Sequence, residues 1–188
     1  MFDKFFFNFS QDPLVDEIPE EVRDDCDTLA GDVMADIYPV GIAAHGRIVW
    51  FAWVSDDYDH VLSKKGSPVS AGSKEGLDHE VAACDGALDW EGESLLDVES
   101  LISSVDSGVG VSPDAVIDAW NFMTDLFRVV AKSPRKMFHA DMMDTYDAFF
   151  SQCDIARTVG LASVSISRRD LDRAKIVLQN GLQMVLSI

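Results

Sequence analysis

The sequence predicts an α+β fold, a helix-rich single domain over residues 1–188 with a small, mainly antiparallel sheet packed by amphipathic helices. Two features lead to it. Residues 40–54 hold two apolar runs around His45-Gly46, the pattern of a β-hairpin with a two-residue turn. Several later stretches carry an apolar residue every three to four positions behind Ser or Ser-Pro openings, the pattern of capped helices with one buried face.

In chain order, Pro19 suits a first helical position, Glu20 and Glu21 suit the positive helix end, and Val22, Cys26, Leu29, Val33 and Ile37 make a helical stripe that Pro39 stops. The hairpin follows, with strands at 40–44 and 47–54. Its second strand (Ile48-Val49-Trp50-Phe51-Ala52-Trp53-Val54) is apolar on both faces and is therefore expected to be central and covered on both sides. Ser55 is placed to cap a short helix ending in Lys64, Lys65 and Gly66. A short helix is expected at Leu77, Val81 and Cys84, and another over 95–105 after Ser94. Ser112-Pro113 opens the strongest helix, striped by Val116, Trp120, Met123, Phe127 and Val130. Ser133-Pro134 repeats that opening, with Phe138, Met142, Tyr146, Phe149 and Phe150 behind it, which implies a tight turn between two antiparallel helices. Val164 and Ile166 alternate with serines, so 161–166 could join the hairpin as a third strand. Ser167 with Asp170 resembles a capping box for a last helix carrying Leu171, Ala174, Leu178, Leu182 and Val185.

A chain of 188 residues that is 47% hydrophobic, with eleven Phe and four Trp, has enough apolar surface to fold. Three separated cysteines without a C-x-x-C pair fit a reducing, cytoplasmic setting better than a disulfide scaffold. No run approaches a membrane span, and the Phe-rich start lacks the marks of a signal peptide. The net charge of −18 is uneven. Residues 1–60 hold 14 acids and 3 bases, residues 61–127 hold 13 and 3, and residues 128–188 hold 6 and 9. An acidic surface repels phosphate, so direct nucleic-acid binding and docking on an anionic membrane are not expected of the first two thirds.

No catalytic template fits. Asp56, Asp57, Asp59 and His60 are the densest group of potential ligands, but a calcium loop begun at Asp57 would place Leu62 where Gly is needed and Pro68 where the bidentate Glu belongs. First-turn acids of a capped helix explain that group without a metal. Asp78-His79-Glu80 and His139 with Asp141 lack a two-ligand helical spacing, and His45 suits the hairpin turn. There is no G-x-S-x-G, and Cys26, Cys84 and Cys153 fit small buried positions. Gly108-Val109-Gly110 lacks the Lys and third Gly of a phosphate loop. Arg168, Arg169, Arg173 and Lys175 make the last helix basic on one side, which fits contacts with the domain's own acids. Phe2, Phe5, Phe6, Phe7 and Phe9 fit core or sheet-edge packing better than a partner-binding arm.

With no cofactor or metal implied, the sequence favours a binding protein over an enzyme. The first reading is an acidic module that docks on a basic protein partner through Asp24, Asp25, Asp56, Asp57 and Asp59, as an inhibitor, immunity-type protein, adaptor or nucleic-acid mimic does. The second is a hydrolase whose divalent metal is held by carboxylates and His60, His79 or His139. The third is a subunit of a larger assembly that buries the aromatic surplus.

Overall fold

The computed structural model describes residues 36–55, 59–130, 140–159 and 166–188. The centre is a mixed sheet. Its first two strands, β1 (Asp36–Ala44) and β2 (Arg47–Ser55), pair antiparallel in register from Asp36 with Ser55 to Ala44 with Arg47. The turn between them is the one the sequence predicts, with positive φ at His45 (50°) and Gly46 (73°). β3 (His60–Val61) adds antiparallel to β2. β4 (Ser63–Lys64) and β5 (Ser67–Pro68) form a small separate hairpin, and β6 (Ser70–Ala71) returns to β2. After α1 (Lys74–Ala82) comes β7 (Ser94–Asp97), which runs parallel to β1 over Val40–Ala43. The helices α2 (Val98–Ser107), α3 (Pro113–Val130), α4 (Ala140–Val159) and α5 (Arg168–Leu186) complete the described chain.

β2 has two dry faces, as its sequence implies. Phe51 and Trp53 join Val40, Ile42, Phe122, Met123, Leu126 and Phe149 in a large core under α2, α3, α4 and α5. Trp50, Ala52 and Val54 join Ile37, Leu62, Val69, Leu77 and Val81 in a smaller core beneath α1. Phe122 closes the first core over the sheet, its ring meeting Phe51 edge-on at 5.4 Å and Trp53 at 6.0 Å. In α3 Ser112 acts as cap, accepting from the Ala115 N–H at 3.3 Å. In α5 the Ser167 hydroxyl accepts from the Asp170 N–H at 3.2 Å, and Leu171, Ala174, Leu178, Leu182 and Val185 are all buried. Thr145 of α4 is fully buried and satisfies its hydroxyl by donating to Asp170 at 2.9 Å.

Four local expectations change. Ile37 and Pro39 belong to β1, not to the end of a helix; residues 19–35 of that helix lie outside the described residues. The Ile37 carbonyl accepts from Asp89 on the side away from β2. Pro39, two residues on, turns its nitrogen to the same side, ahead of the β7 ladder, so its missing N–H breaks no β1–β2 bond. The helix expected after Ser55 is replaced, at its described end, by β3 and β4. Consecutive Val61 and Leu62 are both buried but in opposite cores, which a strand's alternation permits. The helix expected over 95–105 starts later. Ser94–Asp97 is a strand, and the Asp97 carboxylate caps α2 by accepting from the Ser100 N–H at 3.0 Å. That bond, with the one the Ser100 hydroxyl donates at 2.7 Å, holds the Asp97 carboxyl below its ordinary pKa. Finally, β7 makes the sheet mixed, while residues 161–165 of the expected third strand lie outside the described residues. The Ser133-Pro134 helix start and the Phe-rich N-terminus lie outside them as well.

Candidate functional site: an indole pair within an acidic face

The run from Glu75 to Glu99 contains nine acids and no Lys or Arg, and Lys74 stands immediately before it. Ser73 starts α1 by accepting from the Gly76 N–H at 3.1 Å, and Leu77 and Val81 turn toward the sheet. That orientation leaves Lys74, Glu75, Asp78 and His79 exposed. The chain then passes through exposed Asp85 and Asp89 to a short 3-10 turn, Trp90–Gly92, capped by the Asp89 carboxylate, which accepts from the Glu91 N–H at 2.9 Å.

This turn delivers Trp90 to Trp50 of β2. The two indoles meet edge to face, 5.8 Å between centroids and 70° between planes. The Lys74 ammonium sits 4.9 Å from the Trp50 ring centroid and 4.8 Å from that of Trp90, and it forms an ion pair with Glu93. The Trp90 indole N–H donates to Asp78 at 2.9 Å, which fixes that ring to α1. Trp50 is fixed differently. A Cβ at Gly41 would lie 2.8 Å from its ring and 2.9 Å from the Leu95 side chain, so the bare backbone of β1 is what lets the indole lie across the strand. Leu95, 54% exposed, and Ile48, 36% exposed, extend the apolar surface along the same sheet face. An exposed ion pair contributes about 0–1 kcal/mol, and each exposed cation–π contact about 0.5–1 kcal/mol.

A second cluster lies on the opposite sheet face, where α3 crosses the β3 edge. Asp125 is only 5% exposed, and burial pushes its carboxyl up to about 7. The negative charge of Asp59 pushes the same way, while the Arg128 guanidinium, 2.7 Å away, and the Trp53 indole pull against it. Desolvation prevails because Arg128 is itself half exposed, so its charge is screened by water.

Two further charge pairings tie elements together. Glu99 of α2 reaches the hairpin turn, accepting from the His45 backbone N–H at 2.9 Å and lying 3.0 Å from its Nδ1. Arg168 of α5 donates to the Asp106 carbonyl at 2.6 Å and pairs with Asp172 at 2.7 Å, and Lys175 pairs with Asp106 at 2.5 Å. The hydrogen bond from Lys175 holds the Asp106 carboxyl below its ordinary pKa. Part of the basic side of α5 thus faces the domain's own acids, as its sequence suggests.

Of the acids proposed from sequence, Asp59 is described: it is half-buried, and its charge acts on Asp125 and Tyr38. Asp24, Asp25, Asp56 and Asp57 lie outside the described residues, as does His139. Among the described residues, no three His, Cys, Asp or Glu side chains form a group that could hold a metal ion. Cys84 and Cys153 are buried, as expected. Among the described residues, no helix is long and apolar enough to cross a membrane.

The indole pair does not emerge from the periodicities. Trp50 reads as core strand, and Trp90 falls in the weakly periodic stretch 66–93. The available signal was compositional: a lone Lys before a long acidic run, and a Trp flanked by Asp89 and Glu91. No protein-family model, curated protein or solved structure matches this chain, so its function is read from these side chains.

Proposed function

We propose that this chain is an acidic binding protein that docks on a basic protein partner, in an inhibitory, immunity-type, adaptor or nucleic-acid-mimic role. The observation that supports this most is the 75–99 stretch of nine acids without a Lys or Arg. Glu75, Asp78, Asp85, Asp89, Glu91 and Glu93 are exposed there, next to the indole pair and Leu95. Acids steer a basic partner from a distance, and aromatic and apolar groups supply contact once it arrives. Asp24, Asp25, Asp56, Asp57 and Asp59 belong to the same proposal as additional contacts.

The test is capture from a native lysate at low and high salt, followed by kinetics with the purified captured protein. That protein should be basic. Its association rate should fall about tenfold or more between about 20 and about 200 mM NaCl. Glu75→Lys with Glu91→Lys should slow association further without changing the circular dichroism spectrum. Capture of nothing at either salt, or a partner whose association ignores both salt and charge reversal, overturns the proposal.

A further inference from the structure

We infer that the Trp50–Trp90 pair is a receptor for a lysine side chain of the basic partner, and that Lys74 occupies it as an intramolecular stand-in. The inference rests on the docking role proposed above and names the group recognised. Two indole faces about 70° apart form a corner, with an ammonium 4.9 and 4.8 Å from their centroids. Glu93 supplies the counter-charge. These are the elements by which aromatic cages hold alkylammonium groups, and Lys74 demonstrates that an alkylammonium fits.

Local structure does not require a cation at position 74. Lys74 opens α1, and the N-terminal end of a helix carries partial positive charge that favours acids over bases. Its side chain is 46% exposed, so the ion pair is screened and adds little to holding Lys74 in place. The walls, by contrast, are held independently of it: Trp90 by its hydrogen bond to Asp78, and Trp50, 5% exposed, by its packing in the core beneath α1. Removing Lys74 therefore leaves a formed corner with the carboxylate of Glu93 beside it. The surrounding run of acids would draw a lysine-bearing segment to the corner, and Leu95 and Ile48 would accept the segment's apolar groups.

The experiment follows the Trp90 indole N–H signal, assigned with Trp90→Phe, in two titrations of the full chain. One uses a hexalysine peptide and the other tetramethylammonium chloride against sodium chloride. Lys74→Met keeps the apolar stem and removes the charge, and Lys65→Met makes the same charge change on the β4–β5 turn. Lys74→Met should bind hexalysine about tenfold more tightly than either the wild type or Lys65→Met, a gain of the size expected for two exposed cation–π contacts. In Lys74→Met, tetramethylammonium should move the Trp90 signal at concentrations where sodium does not. Combining Trp90→Phe with Lys74→Met, followed on the Trp50 indole N–H signal instead, should remove most of the gain. Equal hexalysine affinity for Lys74→Met and Lys65→Met, or identical responses to the two salts, overturns the cage. If hexalysine binding then persists with a salt dependence common to all variants, the acidic docking role stands without the cage. If no variant binds at low salt, both fall.

Discussion

Asp125 links a single carboxyl to the stability of the whole chain. In the folded state it holds its proton up to about pH 7, whereas in an unfolded chain it releases it near 3.8. The folded state therefore binds more protons across that window, so this group's contribution is full below about pH 4 and is lost as pH rises through about 7. Asp125→Asn cannot titrate. The stability difference between Asn variant and wild type should shift by about 2–4 kcal/mol in favour of Asn between about pH 4 and pH 8, measurable by urea unfolding across that range. A pH-independent difference would mean the carboxyl titrates normally in the fold. Gly181 is a second residue whose role runs against propensity. Alanine there would gain about 1 kcal/mol of helix propensity, but its Cβ would lie 2.5 Å from the Met123 Cγ. Overpacking of that kind costs about 1–3 kcal/mol. Gly181→Ala should therefore lower stability or leave it level, and Gly181→Val should lower it clearly; a thermal melt distinguishes these from the gain that propensity alone would give.

At the level of elements, α5 depends on its opening. Ser167→Ala removes the acceptor for the Asp170 N–H and should cost about 1 kcal/mol, seen as a lower urea midpoint with an unchanged slope. The α5 start and its buried stripe were legible because nineteen helical residues display their period several times over. α3 was legible for the same reason, and the β1–β2 turn because His45-Gly46 has its own chemistry. The strands β3, β4, β5 and β6 were not legible, since two residues cannot show a period of two. β7 was hidden because Leu95 and Leu96 also fit the helix that follows, and the bond that decides the boundary is the Asp97 cap. Of the candidate site, the acidity was legible and the geometry was not. Trp50, Lys74 and Trp90 come from a strand, a helix start and a loop, and only the folded topology brings them together. Asp125 was equally hidden, because it follows Asp114 and Asp118 along a face of α3 that looks solvated until the edge of the sheet covers its far end.

Over the whole molecule, charge is a burden that salt can lighten. With a net charge of −18, self-repulsion opposes the compact state, most strongly where acids are dense and bases are missing. Raising sodium chloride from about 20 to about 200 mM shortens the screening length to under about 10 Å and should raise the melting temperature. Relief of about 1 kcal/mol corresponds to about 2–4 °C for a chain of this size. A melting temperature that falls with salt would mean that attractive pairs such as Arg168 with Asp106 and Asp172 outweigh the repulsion.

The two-faced strand β2 also implies an order of loosening. Among the described residues, one side of it is roofed by four helices, the other by a single nine-residue helix and short connections. A thin roof lifts before a thick one, so the amides of Leu77 and Val81 should exchange with deuterium through a subglobal opening, at a lower free energy than those of Phe122 and Met123. Each such excursion would uncover Trp50 while the helical side stays shut, loosening the layer that carries α1 and its run of acids.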